Sequence, residues 1–502
     1  MKKMEASKVQ RMNKPRLPQL LTACALALLT GCSMIPAYER PAAPVAASYP
    51  AYGSAAPTAD ATPASAVAWQ DFFADAKLRR LIRLSLDNNR DLRVAVLNIE
   101  QAGAQYQIRR ADQLPTVNGV LSGSRTPAAN SGSTTVYSVG LAVTAYELDF
   151  FGRVNSLKEA ALSQYLASEE GRKTAQISLI AAVANSYLSI LADEELLDIT
   201  RQTLATREDS LKLSKLRFDS GVTSELDFRQ AESLLEAARV AYAQQQRARA
   251  LDENALTLLV GQPLGSDLLG DLPSSPSAAA QAMPLAQAQP MADVPAGLPS
   301  DLLINRPDIR QAEQLLLASN ANIGAARAAF FPRISLTVGA GSASGQLSGL
   351  LKSDSWGFAM APQLLLPIFD AGRNQAGLDS AKVGRNIAIA QYEKAIQTAF
   401  REVADALATR TTLVDQLQSQ RAQANAEAIR FKLSDLRYRN GVASYLDLLD
   451  AQRSLFSARQ AVVQTRLAQL QSQVTLYKTL GGGWKEADQG APSLRTDHPT
   501  TP

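Results

Sequence analysis

"LRYRNGVASYLDLLDAQRSLFSARQAV", residues 436–462, follows in outline a stretch met 220 residues earlier, "LRFDSGVTSELDFRQAESLLEAARVAY", residues 216–242. Gly-Val, Leu-Asp and Ala-Arg fall in matching places. Working outward, "NRDLRVA" from Asn89 echoes "RPDIRQA" from Arg306, and "LPTV" from Leu114 echoes "FPRI" from Phe331, both at an offset of 217. "FGRVNS" from Phe151 matches "AGRNQA" from Ala371, again at 220. One order of parts at a near-constant offset marks a duplicated unit. A unit of 220 residues is far too long for a solenoid repeat, so one fold built from two similar halves is expected.

Within each half the texture changes. No proline occurs between Pro127 and Pro263 or between Pro367 and Pro492, and both windows are rich in helix-favouring Ala, Leu, Gln, Glu and Arg. Tyr392, Ile396, Phe400, Val403, Leu407, Val414 and Leu417 keep a four-three spacing, broken once by Arg410. Phe456, Val463, Leu467, Leu470, Val474 and Tyr477 do the same, broken by Gln460. That period makes a narrow apolar seam and predicts long coiled-coil helices.

Other stretches alternate with a period of two. Tyr137, Val139, Leu141 and Val143 alternate with Ser138, Gly140, Ala142 and Thr144. Ile334, Leu336, Val338 and Ala340 alternate with Ser335, Thr337, Gly339 and Gly341. Trp356, Phe358 and Met360 form a third set, and residues 116–124 a weaker fourth around Val117 and Leu121. Each has about the 9–11 residues a tilted strand needs to cross a bilayer. Pro115 and Pro332 stand where helix would give way to strand. By pattern alone a soluble hairpin with one buried face stays open. A membrane reading requires closure, and the smallest membrane barrels have about eight strands. Four strands per chain therefore demand an oligomer, a dimer or a trimer by arithmetic.

The N-terminus reads as a secretory signal. Lys2, Lys3, Lys8, Arg11, Lys14 and Arg16 precede the apolar "LLTACALALL". That run is shorter than the ~20 residues of a spanning helix, and no other segment reads as a transmembrane helix. It ends in "LTGC", which resembles a bacterial lipobox and makes Cys32 the lipidated first residue, with Ser33 favouring the outer membrane. Without this segment 45 bases face 46 acids, so nucleic acid has no electrostatic support. Cys24 leaves with the signal, which removes any disulfide from the mature chain. The expected organisation is a signal peptide at 1–31, a lipidated tether at 32–68, a first repeat at 69–262, a Pro/Ala-rich linker at 263–300, a second repeat at 301–484 and a polar tail at 485–502. The β-hairpins are expected at about 116–146 and 333–366.

Catalysis finds little to work with. The one histidine, His498, lies in the proline-flanked tail, and Cys32 is the expected lipid site. Histidine acid-base chemistry and His/Cys metal sites are thereby excluded. "GAGSASG" from Gly339 misses the dinucleotide fingerprint. No enzyme, no metal and no cofactor is the expectation.

"LRYRNGVASYLDLLDAQRSLFSA", "AFREVADALA", "AAFFPRISL", "PIFDAGRNQA", "NRPDIRQAE", the closing "LGGGW" and "LTGC" together resemble the TolC-type outer-membrane efflux proteins, in particular their OprM-like lipoprotein branch. The resemblance covers about Trp69 to Trp484. It implies a mixed α and β fold: a homotrimer whose twelve-stranded outer-membrane barrel continues into a periplasmic α-helical barrel. It implies a passive exit duct for drugs or toxic small molecules in a Gram-negative cell. The implied partners are outer-membrane lipid, a periplasmic adaptor and an inner-membrane transporter of the RND type. It implies adaptor docking at the helix tips around Gly221, Val222, Gly441 and Val442. The periplasmic gate is carried over to Leu446, Asp450 and Asp447, with Arg437 as ion-pair partner. In the first copy Gln230 stands in the place of Asp450. Type I protein secretion is the alternative within the family, and a periplasmic coiled-coil scaffold the alternative outside it.

Overall fold

The computed structural model describes residues 33–50, 64–128, 132–265 and 305–485, with residues 285, 291, 292 and 302. The signal peptide, Cys32, most of the linker and the tail with His498 lie outside the described residues. In chain order the principal elements are α1 (Ala76–Asn88), α2 (Arg90–Ala111), β1 (Val117–Ala128), β2 (Gly132–Leu148), α3 (Arg153–Asp219) and α4 (Glu225–Val260). The second half supplies α5 (Pro307–Ala328), β3 (Arg333–Ser344), β4 (Trp356–Leu365), α6 (Arg373–Arg439) and α7 (Tyr445–Thr479).

Two compact units emerge, and neither coincides with a repeat. One gathers the described parts of residues 1–40, 101–166 and 314–390, the other those of 41–100, 167–313 and 391–502. Strand pairing explains the mixing. A lone hairpin is marginal in water, and here β2 of the first repeat pairs antiparallel with β3 of the second, giving one sheet in the order β1-β2-β3-β4.

The sheet has two chemically distinct faces. Val117 and Leu121 on β1 pair with Val143 and Val139 on β2, while Leu141 and Val143 pair with Ala340 and Val338 on β3. Ala340, Val338 and Ile334 pair in turn with Phe358, Met360 and Leu364 on β4. The opposite face carries Ser122 hydrogen-bonded to Ser138 at 2.7 Å, with Ala142, Gly339, Ala359 and Gln363. Gly140 and Gly341 are register partners, and a Cβ on either would lie 2.6 Å from the other's Cα. Only glycine allows that approach.

The alternation does not run straight through β2. A bulge between Val143 and Tyr146 puts Ala145 at φ 50°, its N–H donating to Thr337 Oγ1 at 3.1 Å. Beyond the bulge the apolar face passes from odd to even residues, so Tyr146 and Leu148 pair with Leu336 and Ile334. Glu147, on the other face, is clamped by Arg153 at 2.7 Å and Arg333 at 2.7 Å, tying strand ends to the start of α3.

In the helical unit Phe72 stacks on Tyr477 at 3.9 Å, and the Tyr477 hydroxyl donates to the Val67 carbonyl at 2.7 Å. Gly261 and Gly481 end their helices in the left-handed region (φ 77° and 81°). A Cβ there would lie 2.5 Å from the Asn88 carbonyl oxygen in the first case and 2.8 Å from that of Asn305 in the second. Asn89 donates to the Leu259 carbonyl at 2.9 Å, and Arg306 donates to the Thr479 carbonyl at 3.0 Å. Two different side chains thus satisfy equivalent orphan carbonyls at the ends of α4 and α7.

Of the predicted seam, Tyr392, Ile396, Val403, Leu407 and Leu417 are buried, but Val414 is exposed and Leu413 takes its place. A straight helix drifts against a strict seven-residue repeat, which moves the buried position by one residue. A second correction concerns α3. It holds an 18-residue window of mean hydropathy 1.5, apolar enough to cross a membrane by composition. Two-thirds of that window (67 %) is buried inside the protein. Ile180, Val183, Ala184 and Tyr187 spend the hydrophobicity on packing.

Candidate functional site

The two copies of the opening motif fold into matching helical tips. α3 ends where the Val222 N–H bonds to the Arg217 carbonyl and Gly221 N–H to that of Phe218, both at 2.8 Å. α6 ends the same way, with Val442 on Arg437 at 2.9 Å and Gly441 on Tyr438 at 3.0 Å. Gly221 (φ 73°) and Gly441 (φ 72°) hold the left-handed residue of this Schellman turn. The chain then re-enters helix through a serine cap. Ser224 Oγ accepts from the Asp227 N–H at 3.2 Å, and Ser444 Oγ accepts from that of Asp447 at 3.2 Å.

The caps decide what the repeated Leu-Asp pairs do within the protomer. Asp447 Oδ2 accepts from the Ser444 hydroxyl at 2.9 Å, so this acid is committed to the turn. Asp227 accepts from Thr223 at 2.7 Å and Ser224 at 3.0 Å, and the Thr223 hydroxyl above all holds it below the usual carboxylate range. Ala443 replaces that threonine in the second copy.

Behind the turns, Tyr438, Tyr445, Leu448 and Leu449 pack with Ala231 and Leu234 of the first hairpin. The Tyr438 and Tyr445 rings lie 5.3 Å apart, and Arg217 sits over Tyr438 at 4.6 Å. Burial, with Tyr438 and Asp227 adding to it, pushes the Tyr445 hydroxyl up to about 12. The Arg217 contact is a cation–π link between the hairpins. It uses the arginine that corresponds to Arg437 in the other copy.

Asp450 is exposed, but it is paired with Arg430, which also reaches Glu427 at 3.2 Å and Ser454 at 3.4 Å. Arg437, the expected partner, forms no ion pair within the protomer among the described residues. Antiparallel arithmetic accounts for the difference. Arg437 and Asp450 lie four residues before and nine after Gly441, whereas Arg430 lies eleven before it, so only Arg430 comes level with Asp450 across the hairpin. That count was available in the sequence. Leu446, Val222 and Val442 are 60 %, 73 % and 68 % exposed. These apolar side chains stand exposed in the single chain. The first copy has Ser210 and Gln230 where the second has Arg430 and Asp450, and Ser210 instead accepts from Gln452 Nε2 at 3.4 Å.

The family description "Outer membrane efflux protein" matches residues 81–262 and 298–482, once for each repeat. The toluene efflux pump outer membrane protein TtgC of Pseudomonas putida is 50 % identical over 468 residues, covering 91 % of this chain and 94 % of that one. The outer membrane protein OprJ of Pseudomonas aeruginosa is 45 % identical over 474 residues, covering 93 % and 96 %. Among solved structures, the open state of the MtrE outer membrane channel of Neisseria gonorrhoeae aligns with a TM-score of 0.81 at 41 % identity, over 91 % of this chain and all of that one. CusC, solved in connection with folding and transmembrane channel formation, aligns at 0.76 and 38 %, over 90 % of this chain and 100 % of its own.

Proposed function

The chain belongs to the outer membrane efflux protein family, and on that premise we propose that three copies close their sheets into one duct for small toxic molecules. The protein is an outer-membrane channel of an efflux system in a Gram-negative cell. The observation that carries the reading is the sheet. One face presents Leu121, Leu141, Phe358, Met360 and Leu364 outward, the other is mostly small and polar with Val120, Val136 and Leu365 as its apolar members, and β1 and β4 each have one strand neighbour among the described residues. In lipid an open edge leaves backbone groups unpaired, so β4 of one copy must meet β1 of the next. Three copies of four strands close a barrel in the size range of outer-membrane proteins.

Relatives named for toluene and antibiotic efflux support organic solvents and antibiotics as cargo. The exposed Val222 and Val442 at the Schellman turns would dock a periplasmic adaptor, and an inner-membrane transporter, of the RND type, would supply the energy. Three copies of Leu446 and Asp450 would ring the bore, the leucines narrowing it and the acids holding cations and repelling anions. Cys32 would carry the lipid. In this reading the chain binds no cofactor and catalyses nothing. The test pairs two measurements. Purified protein should migrate as a heat-modifiable trimer and insert discrete conducting units into planar bilayers. A deletion strain should become sensitive to toluene and to antibiotics, with full rescue by the wild-type chain. A water-soluble monomer without conductance, or unchanged sensitivity, would overturn the proposal.

A further inference from the structure

A few turns behind the tips, α3, α6 and α7 border a partly open cavity of about 250 Å³. Its lining combines Phe431, Leu455 and Phe456 with Arg207, Gln452 and Arg459, and among the described residues it contains no acid. Arg207 is 5 % exposed, and Gln452 is 8 % exposed. One Arg207 nitrogen donates to the Leu234 carbonyl at 2.9 Å, and the guanidinium lies 5.5 Å over the Phe456 ring. Its Nε meets no acceptor, and no carboxylate pairs with it among the described residues. The Oε1 of Gln452 likewise meets no donor. Burial, and then the neighbouring Arg453, make it harder for Arg207 to hold its charge.

A buried cation with no counter-charge is costly, and an unpaired donor and an unpaired acceptor in the lining of one cavity add to that cost. The surroundings are apolar on one side and cationic on the other. The volume falls just below the ~300–1,000 Å³ of drug-sized pockets. We propose that this cavity is a binding site for a small aromatic carboxylate bearing a hydroxyl, the carboxylate on Arg207, the ring against Phe431 and Phe456, and the hydroxyl donating to Gln452. Because α3 belongs to one hairpin and α6 and α7 to the other, the ligand bridges the two.

The test uses the full-length protein in detergent at fixed ionic strength and neutral pH, with 4-hydroxybenzoate as probe and 4-hydroxybenzyl alcohol as its neutral counterpart. Binding is read by calorimetry. A charged hydrogen bond of ordinary strength makes the acid bind about tenfold or more tighter than the alcohol. Arg207→Gln abolishes that preference, and the exposed Arg459→Gln weakens acid binding about two- to fivefold without touching the core. Equal affinity for acid and alcohol overturns the site, and that comparison needs no variant. So does an acid preference that survives Arg207→Gln. No binding at all also overturns it, as expected if an acid of a second copy occupies the cavity. Normal conductance alongside any of these would refute the site while leaving the duct standing.

Discussion

Replacing Gly441 and, separately, Gly481 by alanine divides backbone strain from steric collision. Both glycines close Schellman turns at φ 72° and 81°. An L-residue there costs about 1–2 kcal/mol. At Gly441 a Cβ meets nothing within 4 Å, so strain is the whole effect. At Gly481 the Cβ would lie 2.8 Å from the Asn305 carbonyl oxygen and 3.2 Å from its carbon. Both are backbone atoms that cannot swing aside, and such overpacking adds about 1–3 kcal/mol. The assay is native-state hydrogen exchange at Val442 and Gly482, whose amides make the 2.9 Å bonds that close each turn. Gly441→Ala should speed exchange at Val442 roughly 5- to 30-fold, and Gly481→Ala should speed it at Gly482 by roughly 30-fold or more. Equal effects at the two sites, or none at Val442, would refute the reasoning.

Ser444→Ala removes the cap of α7 and should cost about 0.5–2 kcal/mol, seen as faster exchange of the Asp447 amide, which donates to Ser444 at 3.2 Å. Gly140→Val sets a branched side chain against the Gly341 backbone and should abolish the heat-modifiable trimer on gels, while Gly119→Ala, with open space around its Cβ, should leave it intact. Arg430→Ala and Asp450→Ala should each raise leak conductance in planar bilayers, and Arg437→Ala alone should raise it less, because Asp450 is held by Arg430. Asp193 is pushed up to about 6 by burial first and by Asp252 next, so the folded state holds its extra proton between the ordinary carboxylate range and about pH 6. Its stabilising contribution is therefore present at low pH and lost as pH rises through about 6. Asp193→Asn should raise the thermal midpoint at pH 8, by the equivalent of roughly 2–3 kcal/mol, and change it little at pH 4.

The fold class was legible because two periods stay separate along the chain. Tyr137 to Val143 and Ile334 to Ala340 alternate cleanly, and both lie in the paired strands β2 and β3, with Leu141–Val143 opposite Val338–Ala340. The parity change at Ala145 was hidden, since a bulge is set by pairing with β3 and not by local propensity. Val414 looked like a seam residue because a strict heptad ignores the drift of a real helix. Asn89 and Arg306 aligned by offset but differ chemically, so their common task on the carbonyls of Leu259 and Thr479 needed coordinates. At the tips the glycine turns and serine caps were readable from "NGVAS" and "SGVTS". The Arg430 pair with Asp450 needed only a count across the hairpin. The Arg217 contact with Tyr438 did not, because it joins segments 221 residues apart.

Sharing one sheet between two halves has a bearing on ancestry. A half-length chain with a single β-hairpin would have edges it could not cover alone, and in a membrane it would have to assemble with copies of itself. Six such chains would draw the ring that three fused ones draw. Joined halves need not stay alike, and Ser210 with Gln230 in one half stand where the other has Arg430 with Asp450.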